Sequence, residues 1–108
     1  MDPVEAAHAH FWSVAEPFLA RDAVTKGTMM GFPCLRHDGA FFASIEHKGT
    51  RMVVKLPRER VAEAVVTGEG ESFAPAGRVF KEWLAVPHDR ADRWTGLLHE
   101  AFAFVRGD

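Results

Sequence analysis

Cys34-Leu35-Arg36-His37-Asp38-Gly39-Ala40-Phe41-Phe42-Ala43-Ser44-Ile45-Glu46 is the stretch that decides the architecture. Asp38-Gly39 is a two-residue hairpin signal, because both central positions of a type I′ turn need positive φ. Aspartate tolerates that region and glycine enters it freely. The residues on either side are apolar or β-prone, so each flank reads as a strand. A two-residue connection commits those strands to antiparallel pairing, since a parallel return needs a crossover of a dozen residues or more.

Downstream, Lys48-Gly49 makes the next turn and Arg51-Met52-Val53-Val54-Lys55-Leu56 the next strand. Alternation puts Met52, Val54 and Leu56 on one face and Arg51, Val53 and Lys55 on the other. Residues 28 to 56 therefore read as three antiparallel strands, with Asp22 to Gly27 as a linker entering them. Pro57 opens a helix over Arg58 to Thr67, with Val61, Ala64 and Val65 inward and Gly68 at its end. Residues 68–72 read as a flexible turn, and residues 73–77 as a loop anchored by Phe73. Val79 to Val86 form a further strand in which Phe80, Leu84 and Val86 alternate with Lys81, Trp83 and Ala85. After Pro87, Asp89 is placed to cap a last helix with Trp94, Leu97, Leu98, Ala101 and Val105 on its inward stripe.

Upstream, Asp2 can cap a helix that has Pro3 at its first position and Glu5 closing a capping box. Val4, Ala7, Phe11, Val14, Ala15 and Phe18 share one stripe. Pro17 lacks a donor and clashes with the carbonyl of Ser13, which predicts a kink or break near Glu16. The sum is one α+β domain over residues 1–108, an antiparallel sheet with three helices in the order α-β(3)-α-β(1-2)-α. Helices have to cover at least one face of such a sheet.

Composition agrees with a packed domain: 47% of residues are hydrophobic and 26% charged, close to the globular average. No apolar run approaches the roughly 20 residues that span a bilayer, and the acidic opening Met1-Asp2-Pro3-Val4-Glu5 is unlike a basic secretory or transit leader. Cys34 is the only cysteine, so neither an intrachain disulfide nor a zinc ribbon can form, and a lone thiol suits a reducing cytoplasm. Thirteen basic against fifteen acidic side chains give a net charge of −2. That balance does not favour non-specific nucleic-acid binding, though it leaves room for a local basic patch.

Lys55 and Lys81 stand mid-strand, and with Arg36 and Arg51 they are candidates for an anion-binding patch on an exposed sheet face. The plainer reading is a solvated outer face that blunts strand edges. Trp83 alternates onto the same side as Lys81, as a stacking platform or a partner anchor, or as core. The six histidines, His8, His10, His37, His47, His88 and His99, show no ligand spacing, so neither a metal nor a cofactor is expected. Cys34 and His37 are three apart on a strand and point to opposite faces, which argues against a nucleophile–base pair. Glu69 and Glu71 read as solubilising turn residues.

Several phrases recur in an order that resembles a known family. They are Met29-Met30-Gly31-Phe32-Pro33, Asp38-Gly39-Ala40-Phe41-Phe42-Ala43, Val54-Lys55-Leu56-Pro57, Phe73-Ala74-Pro75, Lys81-Glu82-Trp83-Leu84-Ala85-Val86-Pro87 and the helix ending Glu100-Ala101-Phe102-Ala103-Phe104-Val105. This order resembles the TfoX N-terminal domain family, and its later part is similar to MmcQ/YjbR-like proteins. The resemblance spans residues 24 to 105. One departure is Met29-Met30-Gly31-Phe32, where the family has Met-Phe-Gly-Gly. What the resemblance implies is a secretion-chaperone-like α+β fold and a link to competence regulation or DNA binding, with no agreed catalytic set.

Three functional expectations follow. The first is a non-enzymatic module that docks a protein partner, or a second copy as a homodimer, through the open sheet face or a strand edge. The second is a nucleic-acid-associated regulator using Arg36, Arg51, Lys55 and Lys81. The third is a small-ligand protein or enzyme with a pocket joining Cys34, Lys55 and Trp83.

Overall fold

A computed structural model describes residues 1–108. The elements run α1 (Pro3–Leu19), β1 (Val24–Met29), β2 (Phe32–His37), β3 (Ala40–Ile45), β4 (Met52–Lys55), α2 (Arg58–Thr67), β5 (Glu71–Phe73), β6 (Phe80–Val86), a 3-10 segment (His88–Arg93) and α3 (Trp94–Arg106). All six strands join one sheet in the order β1-β2-β3-β4-β6-β5, and every pairing is antiparallel. The α+β class and the antiparallel sheet are as expected. The strand count is not: four strands precede α2, so the order is α-β(4)-α-β(2)-α.

The extra strand is β1, where the sequence suggests a linker. Only Val24 of β1 is buried. An edge strand needs no apolar alternation, so its pattern is unreadable. The turn into β2 is Met30-Gly31, both at positive φ (53° and 80°), matching Asp38-Gly39 (53° and 83°) in the next hairpin. Methionine is not a turn residue by habit, which hides this first hairpin.

α1 begins as expected, with the Glu5 amide donating to the Asp2 carboxylate at 2.8 Å. It does not break at Pro17 but runs on to Leu19. Phe18, just past the proline, is buried against Phe42, Phe102 and His99 and holds the last turn down. Asp89 does not cap α3: residues 88–93 form the 3-10 segment, and the helix starts at Trp94 with no side-chain cap.

The helices share one side of the sheet. Ala7, Phe11, Ala15 and Phe18 of α1, Val61 and Ala64 of α2, and Trp94, Leu97, Leu98, Ala101 and Phe102 of α3 meet Leu35, Phe42, Ala43, Ile45, Met52, Val54, Leu84 and Val86 from the strands. Val65, expected inward, is 37% exposed on the flank of α2.

Arg60 ties this layer together at its rim. Its guanidinium meets Glu69 at 2.8 Å, Glu100 at 2.8 Å and Glu63 at 2.7 Å, and Arg93 joins Glu69 at 2.8 Å. Glu69 is thus a clasp between α2 and the 3-10 segment, with Arg60 reaching on to Glu100 of α3, and not the solvated turn residue its sequence suggests. Hydrogen bonds first from Arg60 and then from Arg93 hold its carboxyl down at about 2, against an ordinary 4.5. A depressed folded pKa stabilises at pH values above the unfolded pKa and is lost as pH falls toward the folded one. Stability is therefore expected to drop between pH 4.5 and 2, by roughly 1–2 kcal/mol after allowing for solvent screening. Urea melts across that range check it: in Glu69→Gln this part of the acid loss should vanish.

Gly70 carries a second expectation. A Cβ there would lie 2.7 Å from Leu84 Cγ and 2.9 Å from the Ala85 carbonyl oxygen. Gly70→Ala has to push β5 off β6, and a loss of about 1–3 kcal/mol is expected in chemical denaturation.

Candidate functional site

The side of the sheet away from the helices has its own apolar lining. A row of short side chains crosses all six strands, through the paired positions Gly27, Cys34, Ser44, Val53 and Ala85, and ends at Glu71 on β5. Directly paired residues of antiparallel strands point to the same face, so this row is a trough floor of small groups. Cys34, Ser44, Val53 and Ala85 are all fully buried.

Aromatic rings roof the trough. Phe73, Val53 and Ala85 form its buried centre, with Phe32, Phe41, Phe80 and Trp83 half-buried around them. Phe80 stacks on Trp83 with centroids 4.6 Å apart and planes at 17°. Trp83 also meets Phe41 at 4.9 Å and Phe73 at 5.6 Å. Phe32 of β2 reaches Phe73 of β5 at 6.1 Å. Those strands are four places apart, roughly 19 Å in a flat sheet. The sheet therefore twists and curls until these two corners touch, as its right-handed twist allows.

Irregular pairing aims several of these rings. β2 and β3 slip between Leu35 and Arg36, so that Arg36 pairs with Phe41 while Leu35 pairs with Ala43. Phe41 then faces the trough and Phe42 the main core. A second slip between β5 and β6 pairs Phe73 with Phe80. It turns Phe80 to the same side as Trp83, against the strict alternation read from the sequence.

The same slip separates the residues expected to act together. Lys81 does not share a side with Trp83: it lines a hollow against α2 with Val61, Val65 and Ser72. Arg51 stays on the trough side but is committed to Glu46 at 2.9 Å and Glu71 at 3.1 Å. The hydrogen bonds it donates to the Glu46 carboxylate lead in raising its pKa further. Glu71, like Glu69, is thus an ion-pair partner and not a free turn carboxylate. Arg36 lies over β1, donating from Nη2 to the Thr28 carbonyl at 2.9 Å, with its guanidinium above Gly27. Lys55 sits directly across from Trp83. Of Arg36, Arg51, Lys55, Lys81 and Trp83, the structure brings only Lys55 and Trp83 side by side.

Cys34 lies in the trough floor, paired with Ser44. Burial pushes its thiol up, outweighing the nearby Arg36 guanidinium. A raised pKa leaves little thiolate at neutral pH. Cys34 is expected to react with a thiol reagent such as DTNB only as fast as the chain unfolds, and rapid stoichiometric labelling of the native protein would contradict this burial. No hollow on the surface joins Cys34, Lys55 and Trp83; the three present lie against α2, beside Phe102 and beside Phe104. The pocket expected around these three residues is therefore not formed. Ser44 Oγ is buried with no hydrogen-bond partner, and its position in this apolar floor has no other explanation in the structure.

Phe32, Phe80 and Glu46 are trough residues that the sequence reading did not single out. The signal for Phe32 and Phe80 was present as aromatic residues at strand starts, but alternation alone assigns Phe80 to the wrong side. Among the histidines, His8 Nε2 donates to the Glu46 carbonyl at 2.7 Å and His10 Nδ1 lies 3.3 Å from His88 Nε2. These pairs stand apart, with no group of three potential ligands. No helix is long and apolar enough to cross a membrane. No known protein family, curated protein or solved structure matches the chain.

Proposed function

We propose that this chain is a small non-enzymatic binding module of the cytoplasm that docks a protein surface against the helix-free face of its sheet. The observation that carries the reading is the aromatic roof: four half-buried rings, Phe32, Phe41, Phe80 and Trp83, on a face that no helix covers. Buried aromatic anchors rimmed by polar groups are what protein interfaces use, and here the rings are already held by one another, so little side-chain entropy remains to be lost on docking. Lys55 and the Glu46–Arg51–Glu71 cluster supply the polar rim. The docked surface is a partner protein or a second copy of the chain. The resemblance to TfoX N-terminal and MmcQ/YjbR-like proteins supports a regulatory role for such docking. The lone buried thiol of Cys34 supports a reducing compartment.

A nucleic-acid role would draw on Arg36, Arg51, Lys55 and Lys81 together, and the geometry gives it little support, because Lys81 lies on the other side of the sheet, Arg51 is committed to Glu46 and Glu71, and Arg36 to the Thr28 carbonyl.

The experiment is site-specific photo-crosslinking in the native host. A benzoylphenylalanine at position 83 is compared with one at the exposed position 95 on α3. A discrete protein adduct at 83 and none at 95, lost in Phe41→Ala, is the expected result. Equal labelling at both positions, or an adduct that dissolves on nuclease treatment, would overturn it. Sedimentation of the purified chain then tells a second copy from a different partner.

A further inference from the structure

The hollow that receives Lys81 belongs to the other side of the β5–β6 hairpin and is independent of the aromatic face. It measures about 320 Å³ and lies between the flank of α2 and the start of β6. Val61, Val65 and Val79 give it an apolar wall, and Val79 is 51% exposed. Arg58 and Lys81 stand at its rim. Neither Arg58 nor Lys81 is in an ion pair, and both stand over the same apolar wall. Two uncompensated cations over a valine surface is a local excess of positive charge in a chain whose net charge is −2. Such a surface selects a partner that is both acidic and aliphatic.

The backbone beside this hollow selects its shape. β5 is the last strand of the sheet, so its outer edge has no neighbour. Ser72 of β5 lines the hollow itself. An extended segment pairing with that edge would send alternate side chains toward the α2 flank, about 7 Å apart. Edge addition of this kind draws affinity from main-chain hydrogen bonds and specificity from the alternate side chains.

We propose that the β5 edge and the Arg58–Lys81 hollow form a docking groove for an extended acidic peptide segment. An aliphatic side chain of that segment rests on Val65 and Val79. Acidic residues two positions to either side of it meet Arg58 and Lys81. Charge-assisted contacts to the two cations fix the register. A second copy of the chain is a poor occupant of the same groove, because a symmetric edge-to-edge pairing would bring the two sets of cations toward each other.

The test uses the whole chain, ¹⁵N-labelled, with an acetylated and amidated Glu-Thr-Leu-Thr-Glu peptide as probe. Saturable amide shifts confined to β5, the start of β6 and the first turns of α2 are expected. They should weaken about tenfold in Arg58→Glu and in Lys81→Glu, and fade with added salt. Both side chains lie at the rim and not in the core, and an unchanged amide spectrum of each free variant verifies its fold. Three results would overturn the proposal: no shifts at millimolar peptide, equal shifts with the Lys-Thr-Leu-Thr-Lys peptide, or shifts on the aromatic face instead.

Discussion

Trp94→Ala is expected to cost about 4 kcal/mol, a large share of the roughly 5–15 kcal/mol that holds a domain of this size. Trp94 is fully buried at the head of α3, in the main core beneath the sheet. Its ring lies 5.1 Å from His10 of α1 and 5.4 Å from His88 of the 3-10 segment. Its indole Nε1–H donates to the Val86 carbonyl at 3.1 Å, at the end of β6. One side chain therefore joins two helices, the 3-10 segment and the end of β6. Alanine removes the ring, leaves a cavity, and strips a partner from a carbonyl that water cannot reach. Trp94→Phe keeps most of the packing and loses the donor, so about 1–2 kcal/mol is expected for it. Urea denaturation of both variants separates the two contributions. A Trp94→Ala loss below 1 kcal/mol would mean that the α1–α3 corner is not closed around this ring.

Phe73→Ala is expected to cost about 3 kcal/mol and to act locally. Phe73 is only 1% exposed, yet its strand is three residues long. Such a strand has few backbone bonds, and its attachment depends on the ring lodged among Phe32, Phe80 and Trp83. Without that ring the trough loses its centre and β5 has little to hold it to β6. Hydrogen exchange should quicken at β5 and β6 and stay slow in β3 and β4, because the main core on the other face is untouched. Uniform acceleration across the sheet would show that the two apolar layers are one cooperative unit.

Where the sequence was legible, one local signal was enough. Asp38-Gly39 needs positive φ at both positions and adopts it, so the central hairpin follows from two residues. Arg58 to Thr67 with Gly68 behind it gives α2 to the residue, because a left-handed terminus after an amphipathic turn has few alternatives. The misread places have a common physical cause. β1 is an edge strand and β5 is three residues long, so neither has to show a hydrophobic period. Pro17 reads as a break because propensity is local, whereas Phe18 is held by rings from other elements. The site was less legible than the fold. Lys81 and Trp83 are two apart and share a side in any regular strand; the slip that parts them is set by the pairing of Phe73 with Phe80 on a neighbouring strand. Arg51 reads as a free cation until Glu46, just past β3, and Glu71 of β5 arrive beside it. These facts depend on register across the sheet, which alternation within one strand does not contain.

The curl that joins opposite corners of the sheet is what turns a flat β surface into a ring-lined docking face. The most direct measurement is a nuclear Overhauser contact between the ring protons of Phe32 and Phe73. The two centroids lie 6.1 Å apart, so strong cross-peaks are predicted in the free chain, alongside those between Phe41 and Trp83. If the Phe41–Trp83 peaks are present and the Phe32–Phe73 peaks are not, the sheet is open at its ends, and the aromatic face is not the preformed surface described here.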